Sequence, residues 1–201
     1  HTNSHRLVRL INDILDIEKM ESGQVVFALQ PVELRALAEQ AIEANKGFGE
    51  SFGVSVRLDP GSAEAVVRVD PDRMTQVITN LLSNAVKFSP RGDEVMVRVE
   101  NNGTKVRLSV SDHGPGVPGE YSERIFEKFV QVDATDARQK GGTGLGLSIV
   151  RQIMARLGGE VSVDAAPDGG SSFHVDLPCW DHIELLQTER LGRAGNALIL
   201  L

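Results

Sequence analysis

The sequence predicts an α+β fold of two layers, in which three helices pack on one face of a mixed, mostly antiparallel sheet. Three observations support this. Short segments of alternating apolar and polar residues occur in neighbouring pairs, as they do in strand hairpins. Longer segments between them carry apolar residues at three- and four-residue steps, which is the period of helices. Asn102 and Gly103 separate two alternating segments, and this dipeptide is a strong signal for a tight hairpin.

The N-terminal segment, residues 5–21, has the pattern of a helix that packs against other helices. Its apolar stripe consists of Leu7, Leu10, Ile11, Ile14, Leu15 and Ile17. Gly23 predicts the end of this helix. A strand then leads into a second helix over about residues 31–46, with Pro31 in its first turn.

The middle of the chain alternates strands with one long helix. The strand-like segments are residues 54–58, 67–69, 94–100 and 105–111. We expect the first two to form a hairpin and the last two to form another. Between them, Asp70 and Pro71 supply an N-cap and a first-turn proline for a helix that runs to about Phe88.

After the last of these strands, the apolar periodicity gives way to glycine, proline and charged residues. This predicts a long mobile segment from residue 112 to 143, of a length that is usually functional, with a short helix near residues 122–129. The remaining predicted elements are a helix from Ile149 to Leu157 that ends at Gly158 and Gly159, and a closing hairpin of residues 161–164 and 172–177. About six strands result.

The composition excludes several classes of function. A net charge of −7 argues against a general nucleic-acid surface, because such surfaces need clustered Lys and Arg. Cys179 is the only cysteine, so an intrachain disulfide is excluded and a reducing compartment is favoured. The sequence has no apolar run near the ~20 residues of a membrane helix. We expect this part of the protein to be cytoplasmic. Anchoring of the full-length protein at the inner membrane stays an alternative.

The central helix carries the first group of residues suited to chemistry. Asn80, Asn84 and Lys87 lie at i, i+4 and i+7, within about 60° of one another on the helix surface. Amide oxygens can complete the shell of a magnesium ion that keeps water and phosphate ligands, and a lysine can neutralise phosphate charge. The structural alternative is the polar edge of a packed helix.

Two glycine-containing segments follow. Asp112 ends a strand and precedes Gly114 and Gly116, so a carboxylate there could accept a hydrogen bond from the exocyclic amine of adenine, although many ordinary loops share this pattern. Residues 141–147, GGTGLGL, open a helix, where free N–H groups can bind an anion. A glycine hinge is the alternative. The segment 141–147 lacks the βαβ context of a dinucleotide site and the ending of a P-loop.

Together these segments resemble the catalytic domain of sensor histidine kinases, in the superfamily that also holds gyrase, Hsp90 and MutL. The resemblance covers about residues 1–178 and rests on five motifs in the family's order. NLLSNAVKF is similar to the N box, DHGPGVP to the first glycine box, RIFEKF to the F box, GGTGLGL to the second glycine box, and GGSSFHVDLP to the closing strand motif.

The resemblance implies the Bergerat fold with ATP and Mg²⁺ as cofactors. In it, Asp112 reads adenine together with Gly114 and Gly116, Asn84 and Asn80 serve magnesium, and Lys87 binds phosphate. The implied phosphate-binding residues of the helix opening are Gly142, Thr143, Gly144, Leu145 and Gly146. The resemblance also implies a lid over about residues 113–141, anchored by Phe126 and Phe129. Gln131 stands where similar kinases often carry a basic residue.

A kinase is favoured over the superfamily's ATPases by one residue. The ATPases place a glutamate four residues before the magnesium asparagine, where it can act as general base on water. Here that position is Asn80, and an amide cannot take up the proton at neutral pH. We therefore expect slow hydrolysis and transfer of the γ-phosphate to a histidine. The alternatives are an ATPase of this fold, a protein-serine kinase built on it, and a non-catalytic nucleotide-binding signalling module.

The same resemblance implies three parts of the chain. Residues 1–23 are expected to be the second helix of a dimerisation and phosphotransfer hairpin, residues 24–178 the catalytic domain, and residues 179–201 a linker with the opening of a receiver domain, as in hybrid kinases. His5 lacks the context of an acceptor, so this piece is not expected to phosphorylate itself. The implied partners are the dimerisation domain, a second protomer, and a response regulator or receiver domain; no nucleic-acid partner is expected.

Overall fold

A computed structural model describes residues 25–132 and 143–180, together with residues 7, 11, 14–20, 22 and 23 of the N-terminal segment. Residues 14–20 are helical, as the periodicity predicts. Ile17 and Met20 are buried against the rest of the protein, whereas Leu7, Ile11, Ile14 and Leu15 are exposed. Three features of the sequence lie outside the described residues: His5, Leu10 of the apolar stripe, and residues 181–201.

The described residues form two sheets, and the larger has five strands in the order β2-β4-β5-β7-β6. These strands are β2 (Ser55–Leu58), β4 (Glu94–Asn101), β5 (Lys105–Asp112), β6 (Glu160–Ala165) and β7 (Ser171–Pro178). Strand β2 runs parallel to β4, and the other neighbours are antiparallel. A second sheet pairs β1 (Gln30–Glu33) with β3 (Val66–Val69) in antiparallel register. The predicted mixed, mostly antiparallel sheet is confirmed.

Three helices cover one face of the five-stranded sheet, and the predicted two-layer α+β class is confirmed. They are α1 (Leu34–Phe52), α2 (Pro71–Phe88) and α3 (Gly146–Arg156). Helix α2 lies in the middle and contacts both of the others as well as β5. Its Met74, Ile78 and Leu81 are fully buried among apolar strand residues such as Leu108 and Val175. The core therefore holds α2 at a fixed position on the sheet.

Local signals define α2 as predicted. Asp70 is the N-cap, and its side chain accepts hydrogen bonds from the N–H groups of Asp72 and Arg73, while Pro71 occupies the first helical position. The other Asp70 oxygen accepts from the N–H of Ala28 at 2.9 Å, which ties the chain after the N-terminal helix to the start of α2. The hairpins β4–β5 and β6–β7 and the helix α3 also lie where the sequence places them.

Helix α1 begins later than predicted. Pro31 lies in strand β1, and the N-cap of α1 is Glu33, whose carboxylate accepts from the N–H groups of Arg35 and Ala36. The helix then continues to Phe52, and Gly53 ends it with a φ of 69°. A glutamate is an unusual N-cap, so the proline signal pointed to the wrong residue.

The predicted hairpin between residues 54–58 and 67–69 is wrong. Strand β2 pairs with β4, and β3 pairs with β1 in the other sheet. The connecting segment runs beside β4, because the N–H of Asp59 donates to Val97 O at 2.7 Å and that of Ala63 donates to Val99 O at 2.8 Å. Long-range pairing with β4 thus replaces the local pairing.

The predicted short helix near residues 122–129 is also wrong. Two 3₁₀ turns, Gly119–Tyr121 and Arg124–Phe126, take its place.

The opposite face of the sheet carries no helix of the described residues, and it is polar. Arg107 donates two parallel hydrogen bonds to Asp176 across β5 and β7, at 2.8 and 2.7 Å. Two residues along on the same face, Ser109 Oγ lies 2.8 Å from His174 Nδ1, and burial lowers the pKa of that histidine. These cross-strand pairs fix the register of β5 against β7. Among the residues that the structure describes, no helix is long and apolar enough to cross a membrane.

Candidate functional site

The three groups of residues singled out in the sequence meet around α2. Asn80, Asn84 and Lys87 are half-buried on this helix, beside its fully buried apolar face. The last residue of α2, Phe88, lies against the loop after β5, and the middle of α2 lies against the start of α3.

The loop after β5 packs closely on the end of α2. A Cβ added to Gly114 would lie 2.9 Å from Phe88 O, which is closer than real Cβ atoms approach a carbonyl oxygen. The loop can approach α2 this closely only because residue 114 has no side chain. Lys87, the residue before Phe88, therefore lies on the same helix turn that contacts this loop.

Asp112, the last residue of β5, carries the carboxylate next to this loop, and it is 4% exposed. Its Oδ1 accepts from the N–H of Gly114 at 2.8 Å and from the N–H of Ser171 at 3.4 Å. In the described part of the chain, no hydrogen bond reaches its Oδ2. Burial raises the pKa of the Asp112 carboxyl, while the two N–H donors and the neighbouring His113 oppose the rise in pKa. One oxygen is thus held by the backbone and the other remains as an acceptor.

The start of α3 lies beside α2. The position that a Cβ on Gly146 would occupy is 3.6 Å from Asn80 Oδ1, so the first residue of α3 is an immediate neighbour of the α2 amide. The N-cap residue, Leu145, is fully buried, and its apolar side chain cannot accept hydrogen bonds from the first-turn N–H groups. Its own N–H donates to Thr143 Oγ1 at 3.3 Å. Gly142, predicted with this group, lies outside the described residues.

The segment between the two glycine groups is tied to the start of α3 by backbone. The N–H of Phe129 donates to Gly144 O at 2.9 Å, and a Cβ on Gly144, whose φ is 72°, would lie 3.1 Å from the Cα of Phe129. Phe126 is buried and makes an edge contact with Phe173, with ring centroids 6.4 Å apart. The burial of Phe126 is consistent with the expectation that this residue anchors the lid.

The expectation for the Phe129 side chain is wrong. This side chain is 64% exposed, and Phe129 is the one described non-glycine residue with a positive φ, at 65°. Its backbone holds Gly144 while its ring faces away from the core. Residues 133–141 of the expected lid lie outside the described residues.

Sequence reasoning missed one component of the site. The N–H of Ser171, on β7, holds Asp112, and this contact depends on the β5–β7 register in which Asp112 pairs with Ser171. The closing strand motif, which contains Gly169, Gly170 and Ser171, was the only sequence signal for this contact. It does not indicate the partner, because Asp112 lies 59 positions away from Ser171 in sequence.

The arrangement can hold a polyanion next to a flat polar ring. A carboxylate acceptor lies at one end, and a lysine, two amides and an uncapped helix start lie along α2 and α3. Helix N-termini bind anions through their N–H groups and dipole. No group of three or more His, Cys, Asp or Glu residues that could hold a metal occurs within the described ranges. A metal here would need amide, water and ligand oxygens, which suits Mg²⁺.

Comparison with known proteins gives consistent results. A family model described as "Histidine kinase-, DNA gyrase B-, and HSP90-like ATPase" matches residues 69–181. The chain is 36% identical over 180 residues to the circadian input-output histidine kinase CikA of Synechococcus elongatus, an alignment that covers 89% of this chain and 24% of CikA. It is 31% identical over 189 residues to the signal transduction histidine-protein kinase BarA of Escherichia coli, covering 91% of this chain and 20% of BarA.

Solved structures show the same fold. Full-length ShkA in complex with AMPPNP superposes with a TM-score of 0.75 at 33% identity, covering 86% of this chain and 36% of that one. The mycobacterial sensor histidine kinase MprB superposes with a TM-score of 0.65 at 27% identity, covering 76% of this chain and 98% of that one. The chain spans less than a quarter of the length of the two curated relatives.

Proposed function

The chain belongs to the family of histidine kinase-, DNA gyrase B- and HSP90-like ATPases, and we propose that it binds Mg-ATP and supplies the γ-phosphoryl group to a histidine in two-component signalling. It is an ATP-binding catalytic domain of the kind found in histidine kinases. Its relatives CikA and BarA are histidine kinases. The observation that carries the proposal is that the loop after Asp112 packs on the last turn of α2, while the start of α3 lies beside Asn80 on the same helix. We infer a nucleotide cleft between these groups.

We assign the base to the Asp112 end of the cleft. Oδ2 of Asp112 accepts from the exocyclic amine of adenine, while Oδ1 stays on its two N–H donors. Gly114 and Gly116 let the backbone lie close to the ring, because neither has a side chain. The burial of Asp112 supports this role, since a hydrogen bond to a desolvated carboxylate is stronger than one in water.

We assign the phosphates to the other end. Gly142, Thr143, Gly144, Leu145 and Gly146 lead into the uncapped start of α3, whose N–H groups suit phosphate oxygens. Lys87 neutralises phosphate charge. The amide oxygens of Asn84 and Asn80 are suited to Mg²⁺, and the bound ion supplies neutralisation of charge on the transferring phosphoryl group.

The amide at position 80 supports transfer over hydrolysis. Asn80 lies beside Gly146, where a carboxylate could activate water, but its amide has no basic site at neutral pH. ATP is therefore preserved until an imidazole reaches the γ-phosphate, and positioning supplies most of the catalysis. Because ATP is supplied in the cytoplasm, a cytoplasmic location follows from this proposal.

The N-terminal helix suits a helical partner. Leu7, Ile11, Ile14 and Leu15 are exposed, while Ile17 and Met20 on the same segment are buried against the catalytic domain. We propose that the exposed residues pack in a dimerisation hairpin with a second protomer, and that the phosphoryl group passes from the histidine there to an aspartate of a response regulator or receiver domain. The proposed boundaries remain residues 1–23, 24–178 and 179–201.

The experiment that separates the candidate functions measures ATP binding and phosphate release on the same sample. A kinase domain binds ATP more tightly with Mg²⁺ than without it and releases inorganic phosphate very slowly. Rapid release of phosphate would instead indicate an ATPase of this family. ATP binding that is indifferent to Mg²⁺ would indicate a non-catalytic nucleotide-binding module.

A further inference from the structure

The turn between β6 and β7 lies directly against the backbone that carries Asp112. A Cβ added to Gly170 would lie 2.0 Å from Asp112 O and 2.7 Å from the Cα of His113. Both atoms belong to the backbone, so no side-chain rotation could relieve this contact. Gly170 also has a φ of 89°, which an L side chain rarely adopts.

The same turn touches the Asp112 loop at two more points. The residue after Gly170, Ser171, donates its N–H to Asp112 Oδ1 at 3.4 Å. On the other side, a Cβ on Gly116 would lie 3.3 Å from Gly170 O. Gly170 O is itself fixed in the turn, because it accepts from the N–H of Ala166 at 3.2 Å. The turn therefore supports the carboxylate, the strand end and the glycine loop together.

Its neighbour, Gly169, provides an internal comparison. Gly169 has nearly the same φ, 93°, but nothing lies within 4 Å of the position of its missing Cβ. An alanine at either position would have to adopt a positive φ that L side chains rarely adopt. Only an alanine at Gly170 also pushes on Asp112 and His113.

We propose that Gly170 is a positioning residue for base recognition, which lets the β6–β7 turn fix the direction of the Asp112 carboxylate and thereby sets the preference for adenine. This inference rests on the proposed function, because it assumes that Asp112 reads the base. The turn contacts neither the phosphates nor the metal in this account, so its effect is confined to the base end of the cleft.

The test compares Gly170→Ala with Gly169→Ala by calorimetric titration with ATP and with inosine triphosphate, which lacks the exocyclic amine. We expect Gly170→Ala to weaken ATP binding about 10-fold or more, because a displacement of about 1 Å in a positioned group can cost on the order of 100-fold. The affinity for inosine triphosphate should change much less, so the ratio of the affinities for ATP and inosine triphosphate decreases. Gly169→Ala should keep both affinities within roughly two-fold.

Three results would overturn the inference. The two variants could bind ATP equally well, or Gly170→Ala could weaken both nucleotides by the same factor, which a merely structural role predicts. Failure of the wild type to bind ATP would remove the proposed function itself and the inference with it. If Gly170→Ala does not fold, the amide resonances of Gly170 and Ser171 in the wild-type protein decide the matter. They should shift when adenosine alone is added, and unchanged positions beside a shifted Gly114 resonance would contradict the proposal.

Discussion

The two ends of the proposed nucleotide cleft are built differently. At the base end, Asp112 is buried, is held by two backbone N–H groups and is packed against the β6–β7 turn. At the phosphate end, Asn80, Asn84 and Lys87 are only half-buried, and Gly144 is joined to an exposed Phe129 through backbone. The base end is thus preorganised by the fold, whereas the phosphate end depends more on its ligand.

This difference predicts how substitutions at each end act. At the base end, a changed side chain should alter nucleotide affinity and preference while the fold persists. At the phosphate end, a changed side chain should alter the dependence on Mg²⁺, because the ion and the phosphates complete the contacts there.

The largest effect is expected for Asn84→Ala. Loss of the amide oxygen should weaken Mg²⁺ binding to the ATP complex by about 100-fold, at the upper end of the 10–100-fold typical of changes around metal sites. Calorimetric titrations with ATP, run with and without Mg²⁺, measure this as loss of the Mg²⁺-dependent gain in affinity. Ser83→Ala, at the neighbouring position of α2, is the control and should retain the gain. An Mg²⁺-dependent gain that survives in Asn84→Ala contradicts the assignment.

Asp112→Asn should have the next largest effect. The substituted amide keeps an oxygen for the N–H groups of Gly114 and Ser171 but presents NH₂ where adenine needs an acceptor. Two facing donors should cost about 1.4–2.8 kcal/mol, or roughly 10- to 100-fold in ATP affinity.

The melting temperature of Asp112→Asn should be unchanged or higher, since the substitution removes a buried charge. Asp164→Asn, whose carboxyl is 70% exposed on the outer face of the sheet, should leave ATP affinity unchanged. Equal ATP affinity in wild type and Asp112→Asn would exclude this carboxylate from base recognition.

Acid pH should weaken ATP binding through the same carboxylate. Burial raises the pKa of Asp112 above its usual value of 3.8, so the folded protein takes up this proton at a higher pH than the unfolded chain does. The ionised Asp112 therefore opposes folding at neutral pH, and this penalty is relieved as the pH falls from the raised pKa towards 3.8. ATP affinity should change in the opposite direction and fall with the pH, because the protonated carboxyl is a poorer hydrogen-bond acceptor.

Titrations of wild type and Asp112→Asn at matched pH values separate this effect from protonation of ATP. Below the raised pKa, wild-type affinity should fall by about 10-fold per pH unit relative to that of the variant. Parallel pH profiles in the two proteins would show that a different group controls binding. His113 and Asp93, which hydrogen-bond each other at 3.1 Å beside Asp112, are the other titratable groups to test.

The smallest effect is expected for Phe129→Ala. Its ring is 64% exposed, and the hydrogen bond to Gly144 O comes from its backbone, so the free energy of unfolding should change by no more than about 0.5 kcal/mol. Phe126→Ala should lose about 3–5 kcal/mol, because its ring is buried against Phe173. Chemical denaturation measures both. Similar losses in the two variants would show that the Phe129 ring is also part of the core.

The parts of the fold that could be predicted are those with local causes. Asp70 and Pro71 mark the start of α2 through contacts within three residues, and Asn102 and Gly103 join two strands that pair with each other. The hairpin expected between β2 and β3 was wrong because the partner of β2 is β4, far along the chain. Glu33 as N-cap of α1 was missed because Pro31 gave a stronger local signal.

The candidate site follows the same division. Helical spacing alone places Asn80, Asn84 and Lys87 on one side of α2, and the structure places Asn80 beside Gly146. The roles of these residues, of Asp112 and of the glycines remain predictions. The support from Gly170 could not be predicted, because it depends on the register between β5 and β7, which no local pattern specifies.

A crystal structure with Mg²⁺ and a non-hydrolysable ATP analogue tests the central claim most directly. The account predicts the adenine amine within hydrogen-bond distance of Asp112 Oδ2, the phosphates at the start of α3, and Mg²⁺ on the amide oxygen of Asn84. An analogue bound with its adenine away from Asp112, or with its phosphates away from both α2 and α3, would contradict it.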